Sequence, residues 1–229
     1  MKIALIGYGK MGRAIETIAL QKGHSITAII DVDNPEEWQS EGFRAADLAV
    51  EFSAPQSAVD NYYRCFDAGK ALVSGTTGWL SRLEEVKERC LKGNHTMFYA
   101  SNFSVGVNVL FAVNRYLAEL MSRFPAYEAR LREVHHIHKK DAPSGTALSL
   151  AEGIQAALQG KAPLIESVRE GEEPGFHEIV WESAADRICL SHGAKGREGF
   201  AAGVVAAAEF TVGRKGFLGM ENMLGFSIH

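Results

Sequence analysis

Hydrophobic positions in the first hundred residues form short runs separated by segments with helical spacing. The apolar runs lie at 2–6, 26–30, 49–52, 71–74 and 98–100. Apolar residues recur at helical spacing between 14 and 19, and 58–68 has the pattern of a helix between the third and fourth runs. Strands that alternate with helices in this way predict an α/β unit with a parallel sheet.

The pattern changes at Val105. Apolar residues keep a helical period from there to about residue 120, and the next stretch, 126–136, alternates as a strand with Glu133 and His135 on one face. A half-polar strand of this kind is typical of an antiparallel sheet. Further strands are predicted at 168–171, 178–181 and 187–192, and further helices at 147–158 and 201–210. The second half of the chain is therefore predicted to contain a second sheet.

A glycine-rich turn follows the first predicted strand. It consists of Gly7, Tyr8, Gly9, Lys10, Met11 and Gly12. In dinucleotide-binding folds the first glycine allows the tight turn, the second lets the backbone approach a pyrophosphate, and the third lets the helix pack on the strand. The N–H groups at the helix start would bind the phosphates. Because glycine-rich turns also occur by chance, the hypothesis depends on features further along the chain.

An acidic residue stands where a dinucleotide-binding fold needs one. Asp31 ends the second predicted strand, and in such folds an acid about 20 residues after the glycines binds the ribose hydroxyls. Val32 and Asp33 follow, with no arginine, so a 2′-phosphate would be repelled by the carboxylate. We therefore expect NADH to be preferred over NADPH, although Lys10 could reach such a phosphate. The alternative is that Asp31 only begins a turn.

The later strands of the first unit also end in loops of small residues. Ligands of open α/β sheets bind outside the carboxyl ends of the strands, so these loops are expected to line one cleft. Gly75, Thr76 and Thr77 offer backbone and hydroxyl groups without bulk, which suits a nicotinamide and its ribose. Ser101, Asn102 and Phe103 follow the fifth strand. Ordinary turns are the alternative for both loops.

The most informative stretch of the chain is 135–146. Its chemically active residues are His135, His136, His138, Lys139, Ser144, Gly145 and Thr146. The last three open a predicted helix after Pro143, where unpaired N–H groups, two hydroxyls and the positive end of the dipole can hold an anion. We expect this segment to bind a carboxylate, with histidines that can exchange a proton near neutral pH.

Three interpretations of the histidines stay open. They could serve proton donation and anion binding, they could be structural or solvent-facing, or they could bind zinc. Zinc takes three or four converging ligands, whereas on a strand His136 and His138 point to one side and His135 to the other. No CxxC or HExxH motif is present, so we expect no metal. For Ser144 plain N-capping is the alternative, and Arg197 could pair a second carboxylate or be a surface arginine.

Composition and charge exclude several classes of function. The 229 residues carry a formal net charge of −4, which leaves no basic surplus for a phosphate backbone, so nucleic acid is not an expected partner. No apolar stretch approaches the roughly 20 residues that span a bilayer, and we expect a chain that is neither secreted nor membrane-embedded. Three widely spaced cysteines without a CxxC pair favour reduced thiols in a cytoplasm.

These motifs together resemble the 4-hydroxy-tetrahydrodipicolinate reductase (dihydrodipicolinate reductase) family of lysine and diaminopimelate biosynthesis. The matching segments follow the family's order at 7–12, 51–53, 75–79, 100–108, 135–146, 197–203 and 216–223. The block 139–146 after paired histidines is highly specific, whereas the glycine turn is shared with many dehydrogenases. A dehydrogenase for an amino acid semialdehyde or aspartate, and a regulator that binds NAD(H) without turnover, are the alternatives.

The resemblance implies an α/β fold with two domains. A Rossmann-like doubly wound parallel sheet at 1–103, completed by 204–229, would bind NADH or NADPH. A mixed α+β domain at 104–203 would bind the dicarboxylate substrate and form a homotetramer. His135 would be the general acid, and Lys139 would assist it and contact a substrate carboxylate. The other implied site residues are His136, Ser144, Gly145 and Thr146 for the substrate and, for the dinucleotide, 7–12, Asp31, 75–77 and Ala100 with 101–103.

Two segments are shorter than in the family pattern. In 32–47 the strand and helix that are common there are expected to be reduced or absent. The segment 158–168 is also brief, which leaves the length of the outer strands open. Neither difference touches the chemistry that the resemblance implies.

Overall fold

The structure is a computed structural model that describes residues 1–226. It divides into two compact units: Met1–Ser104 together with the chain from Arg197 onward, and Val105–Gly196. The boundary that we expected after residue 203 lies before Arg197 instead. The reason is that a single helix begins at Glu198, and its buried residues pack in the core of the first unit.

Helices and strands alternate through most of the chain. The first unit begins with β1 (Lys2–Ile6), α1 (Lys10–Gln21), β2 (Ser25–Ile30), a 3₁₀ helix (Pro35–Gln39), α2 (Glu41–Ala45), β3 (Leu48–Glu51), α3 (Pro55–Asp67), β4 (Ala71–Ser74), a 3₁₀ helix (Leu80–Arg82), α4 (Leu83–Lys92) and β5 (Thr96–Tyr99). The second unit contains α5 (Val105–Met121), β6 (Glu128–His135), α6 (Gly145–Ala157), β7 (Leu164–Arg169), β8 (Phe176–Glu182) and β9 (Arg187–Gly193). The chain then returns to the first unit with α7 (Glu198–Thr211), β10 (Gly216–Leu218) and α8 (Met220–Leu224).

The sheet of the first unit is parallel throughout, in the order β10-β5-β4-β3-β1-β2. Successive side chains of a strand point to opposite faces, so Ile3 and Leu5 pack in one core with α1 and α7 while Ala4 and Ile6 pack in another with α3. The predicted doubly wound parallel sheet is thereby confirmed. Because every strand runs in the same direction, all their carboxyl ends meet at one edge.

Two further parts of the first unit concern segments outside the predicted strands and helices. The segment at 216–220, for which the pattern predicted no strand, supplies β10, and this strand pairs with β5 and extends the sheet to six strands. Within 32–47 the structure has a short 3₁₀ helix and the five-residue α2 but no strand. The reduction expected for that segment is confirmed.

The sheet of the second unit is mixed, in the order β7-β6-β8-β9. Strand β6 pairs parallel with β7 and antiparallel with β8, and β8 pairs antiparallel with β9. One face packs on α5 and α6, where Leu131, Ile179 and Trp181 are buried. A second sheet of mixed type is therefore confirmed.

Two strand boundaries of the second unit were wrong. The strand expected at 168–171 lies at Leu164–Arg169, because β7 is a sheet edge whose exposed Leu164 and Glu166 give no clear apolar pattern. Despite the short preceding segment, this outer strand keeps six residues. The strand expected at 126–136 ends at His135, since the N–H of His136 donates to the carbonyl of Glu173, 2.8 Å away, in a loop.

Among the described residues, no helix is both long enough and apolar enough to cross a bilayer. All three cysteines are free thiols. Cys65 and Cys90 are buried in the first unit, and Cys189 is exposed on β9.

Candidate active site

Loops of the first unit meet at the carboxyl edge of its sheet, where backbone hydrogen bonds join them. The N–H of Gly7 donates to the carbonyl of Ile30 at 2.8 Å, and the N–H of Ala100 donates to the carbonyl of Ser74 at 3.3 Å. The residues predicted to bind a dinucleotide lie on these loops or, for Lys10, Met11 and Gly12, in the first turn of α1; the loop residues are Gly7, Tyr8, Gly9, Asp31, Gly75, Thr76, Thr77, Ala100, Ser101, Asn102 and Phe103.

The three glycines of the first loop have different surroundings. Gly7 has a φ of +86°, and a Cβ there would stand 2.2 Å from the carbonyl oxygen of Phe52. A Cβ at Gly12 would stand 2.5 Å from the carbonyl oxygen of Gly7, whereas a Cβ at Gly9 would meet nothing within 4 Å. Gly7 and Gly12 are thus required by packing, while Gly9 leaves open space at the N-terminus of α1. That space fits the approach of a pyrophosphate.

Asp31 connects the end of β2 to the glycine turn. Its Oδ2 accepts a hydrogen bond from the N–H of Tyr8 at 2.9 Å, and its Oδ1 accepts one from the N–H of Val32 at 2.8 Å. Its own N–H donates to Oδ1 of Asn34 at 2.6 Å. Asp31 therefore does begin a turn, and its half-exposed carboxylate retains lone pairs that can accept hydrogen bonds from ribose hydroxyls.

Gly75, in the loop after β4, is required by packing. A Cβ at Gly75 would stand 2.2 Å from the ring of Phe52 and 3.0 Å from the ring of Phe103. Phe103 itself is 3% exposed and packs against Phe98, so the predicted site residue belongs to the core and has mainly its backbone to offer a ligand. Thr77 and Ser101 are exposed on the same edge.

The second unit contains a buried polar cluster around His135, on the same strands that carry its apolar core. The register of β6 and β8 places Glu133 opposite His177. Alternation along β6 places Glu133 and His135 on the face of Leu131, as the sequence pattern indicates. Glu133, His135 and His177 are all buried, and so is Ser144 at the start of α6.

His135 is held through one ring nitrogen. Its Nδ1 forms a hydrogen bond with Oε2 of Glu133. Burial lowers the pKa of His135, and the hydrogen bond and charge of Glu133 oppose that shift. A Cβ at Gly175 would stand 3.1 Å from Nε2 of His135, so a side chain at position 175 would crowd the second nitrogen.

Glu133 is itself fixed by two further donors. Its Oε1 accepts a hydrogen bond from Nη2 of Arg169 at 2.9 Å and one from the N–H of Ser144 at 3.3 Å. Burial alone would raise the pKa of Glu133, but the hydrogen bonds from Arg169 and His135 outweigh it and lower the pKa below its usual value. Glu133 is therefore a carboxylate at neutral pH, in hydrogen-bond contact with Nδ1 of His135.

The loop after β6 carries the remaining predicted substrate residues. Nζ of Lys139 forms an ion pair with Oδ1 of Asp141 at 2.8 Å. His136 and His138 lie in this loop rather than on the strand, with ring centroids 5.9 Å apart. The argument from strand faces therefore holds for His135 but not for the other two histidines.

The start of α6 is capped as the sequence predicts. Oγ of Ser144 accepts a hydrogen bond from the N–H of Ala147 at 3.2 Å and lies 3.1 Å from Nε2 of His177. A Cβ at Gly145 would meet nothing within 4 Å, and Thr146 follows in the first turn. N-capping by Ser144 is thus real, and open space at Gly145 is compatible with an anion as well.

Glu133, His135 and His177 also bring three potential metal-ligand atoms within 4.8 Å of one another. Hydrogen bonds already engage them, because Arg169 and the Nδ1 of His135 bond Glu133 and Ser144 bonds His177. Burial lowers the pKa of His177 to about 4, so this imidazole is neutral at pH 7. The guanidinium of Arg169 would repel a divalent cation beside Glu133, and the absence of a metal stays our prediction.

Family models account for nearly all of the chain. The model described as "Dihydrodipicolinate reductase, N-terminus" matches residues 1–103, and "Dihydrodipicolinate reductase, C-terminus" matches residues 106–224. The chain belongs to the dihydrodipicolinate reductase family. The resemblance that the sequence motifs indicated is confirmed.

Individual members of the dihydrodipicolinate reductase family are similar to this chain over about nine tenths or more of their length. The 4-hydroxy-tetrahydrodipicolinate reductase of Christiangramia forsetii is 40% identical over 236 residues, which covers 98% of each chain. That of Xanthomonas campestris pv. campestris (strain B100) is 35% identical over 225 residues, covering 90% of this chain and 89% of the relative. The dipicolinate-bound dihydrodipicolinate reductase of Paenisporosarcina sp. TG-14 shares the fold, with a TM-score of 0.80, 19% identity, and coverage of 96% of this chain and 98% of its own.

The sequence pattern did not identify Arg169 and His177 as members of the polar cluster around Glu133. Alternation placed Glu133 on the face of His135 but gave no sign of their hydrogen bond. Arg169 and His177 come from β7 and β8, and neither lies in a motif, so only strand pairing brings them to Glu133. Arg197 is exposed directly before α7, and its pairing with a carboxylate stays a prediction.

Proposed function

We propose that this chain is a 4-hydroxy-tetrahydrodipicolinate reductase. It uses NAD(P)H to reduce the dehydrated ring of 4-hydroxy-tetrahydrodipicolinate to tetrahydrodipicolinate in lysine and diaminopimelate biosynthesis. The observation that carries the proposal is the buried His135 imidazole, bonded through Nδ1 to the buried Glu133, with no side chain at Gly175 to crowd Nε2. The names of the relatives, and the dipicolinate bound to the Paenisporosarcina sp. enzyme, support the substrate class.

His135 acts as the general acid. Reduced nicotinamide, when bound, supplies the hydride that forms the new C–H bond. The electron pair that this addition displaces in the C=C–C=N system accumulates toward the ring nitrogen, and the proton that neutralises it comes from Nε2 of His135. Glu133 stabilises the imidazolium form and fixes the ring, because it accepts the Nδ1 hydrogen bond.

The loop after β6 and the start of α6 bind the substrate carboxylates. Lys139 exchanges its ion pair with Asp141 for one with the substrate and assists His135. His136, Ser144, Gly145 and Thr146 complete the substrate site. The positive end of α6 and the open space at Gly145 favour a carboxylate there.

The first unit holds the dinucleotide and the second unit the substrate. The glycine turn at 7–12 binds the pyrophosphate at the start of α1, and Asp31 accepts the ribose hydroxyls. The loops at 75–77 and 100–103 hold the nicotinamide half. NADH is preferred, because the carboxylate of Asp31 disfavours a 2′-phosphate, while NADPH remains a usable donor through the exposed Lys10.

The second unit also forms the contacts of a homotetramer, and the enzyme works in the cytoplasm. The resemblance of the sequence motifs to the family implies the homotetramer. Three free thiols are compatible with a reducing compartment.

The test follows reduced nicotinamide absorbance with the cyclic substrate, for NADH and NADPH in parallel. Wild-type enzyme should oxidise both, with the higher kcat/KM for NADH. His135→Gln should lower kcat by about 10²–10⁴, the usual contribution of a positioned acid, with little change in KM. Lys139→Ala should both lower kcat and raise KM. Equal and mild effects of the two substitutions, or no turnover of the ring substrate by wild type, would refute the proposal.

A further inference from the structure

The first unit contains a buried carboxylate for which the proposed reaction has no use. Glu51 is the last residue of β3, and its exposed fraction is 0%. Burial raises the pKa of Glu51, against the hydrogen bonds that stabilise its charge. Burial of a carboxyl group costs free energy unless its oxygens are well bonded, so the groups that bond Glu51 indicate why it is there.

Both oxygens of Glu51 accept hydrogen bonds from loop residues at the dinucleotide edge. Oε1 accepts from the N–H of Ser53 at 3.1 Å, from Oγ of Ser53, and from Oγ1 of Thr76 at 3.0 Å. Oε2 accepts from Oγ of Ser74 at 2.7 Å. One carboxylate therefore joins the loop after β3 to the loop after β4.

A second layer of hydrogen bonds fixes this pair of loops. Ser74 donates to Glu51, so its Oγ accepts from the hydroxyl of Tyr62, 2.8 Å away in α3. Nδ2 of Asn61 donates to Oγ of Ser53 at 3.1 Å, and Nε1 of Trp79 donates to the carbonyl of Thr76 at 2.8 Å. The same N–H of Ser53 that bonds Glu51 also bonds Oγ1 of Thr76 at 2.9 Å. These hydrogen bonds tie both loops to each other and to α3.

We infer that Glu51 is a positioning residue that holds these two loops, through Ser53 and Thr76, in the shape that binds the nicotinamide half of the dinucleotide. The inference rests on the proposed function, which assigns the loop at 75–77 to that half. A preformed loop binds a ligand more tightly than a loop that must be ordered on binding, because its conformational entropy has already been lost on folding. The glycine turn at 7–12 is outside this hydrogen-bond network and would bind the adenine half without it.

The experiment measures calorimetric affinities of two ligands: NADH and ADP-ribose, which lacks the nicotinamide. Glu51→Gln keeps the size of the side chain but replaces Oε2 or Oε1 with an amide donor, so at least one hydroxyl loses its acceptor. We expect the Kd for NADH to rise about tenfold, as for the loss of one hydrogen bond to a charged group. The Kd for ADP-ribose should change less than about twofold.

Two further variants separate positioning from general loss of structure. Ser74→Ala removes only the donor to Oε2 and should shift the NADH affinity in the same direction by a smaller factor, even if Glu51→Gln fails to fold. Thr96→Val is the matched control. Thr96 is the first residue of β5 and is buried at the end of the same sheet where the strands begin. Its Oγ1 donates to the carbonyl of Arg214 at 2.7 Å. It should lower Tm without changing either affinity.

The outcomes are distinguishable. If Glu51→Gln and Ser74→Ala bind NADH as wild type does, or lose affinity for NADH and ADP-ribose to the same extent, the inference is overturned while the proposed function stands. If wild type binds neither ligand, the proposed function fails and the inference fails with it. A selective loss for NADH in either variant, absent in Thr96→Val, supports the inference.

Discussion

The imidazole of His135 depends on a carboxylate two residues before it in the chain. Burial lowers the pKa of His135, and Lys139 and Arg169 lower it further through their charge, while Glu133 is the group that raises it. The sequence motif identified His135 and Lys139 as candidates. It could not identify the balance of charges, because Arg169 reaches His135 only through the pairing of β6 with β7.

Glu133→Gln should move the pH dependence of kcat toward acid. The substitution removes the charge that stabilises the imidazolium, so His135 loses its proton at a lower pH and the decline of kcat on the alkaline side begins earlier. Steady-state kcat measured from pH 5 to 9 tests this. Glu166→Gln, which removes an exposed carboxylate on neighbouring β7, is the control and should leave the profile in place. An unmoved alkaline limb in Glu133→Gln would contradict the role of Glu133.

At the scale of elements, the strand, glycine turn and helix formed by β1 and α1 follow from local sequence. The turn needs a positive φ at Gly7 and close contacts at Gly7 and Gly12, which only glycine allows. Gly9 has neither requirement, since its φ is −76° and its surroundings are open. The structure therefore separates the glycines kept for folding, Gly7 and Gly12, from Gly9, which suits a ligand, in line with the roles that the motif predicts.

Gly9→Ala and Gly7→Ala should consequently have opposite signatures. Gly9→Ala is expected to leave Tm near that of wild type but to weaken NADH binding, because the new methyl group enters the space for the pyrophosphate. Gly7→Ala should lower the free energy of unfolding by more than about 1 kcal/mol, from the left-handed backbone alone. Thermal melts and calorimetric titration with NADH measure the two effects. A large Tm loss in Gly9→Ala would show that its open space is not a ligand site.

At the scale of the whole molecule, two units with different sheets divide the proposed work. In the parallel sheet, the loops proposed to bind a dinucleotide lie at one edge. In the mixed sheet, the buried cluster of Glu133, His135 and His177 lies on the strands that form the apolar core. The chain leaves the first unit after Ser104 and returns at Arg197, so each unit has its own core. The first boundary agrees with the family models, which meet between residues 103 and 106, whereas the C-terminal model extends to residue 224 and includes the return to the first unit.

Sedimentation velocity tests the proposed homotetramer. Because a homotetramer contains four chains, the protein at micromolar concentration should sediment with about four times the 24.9 kDa mass of one chain. The ratio should persist on dilution if the interface is of the large, obligate kind. A monomer or dimer under the same conditions would refute the tetramer and leave the reductase assignment intact.

The sequence alone determined the features that depend on neighbours within a few residues. Apolar periodicity predicted five of the six strands of the parallel sheet, the glycine turn predicted its bend, and Ser144 at the helix start was a candidate cap of α6, because backbone preference and side-chain alternation act locally. Only the tertiary structure decided that β10 joins β5, that β7 lies on the edge beside β6, and that Arg169 and His177 surround Glu133. It also decided that Glu51 joins two loops. These contacts connect segments far apart in the chain, and their free energy comes from strand pairing and burial, which no local pattern encodes.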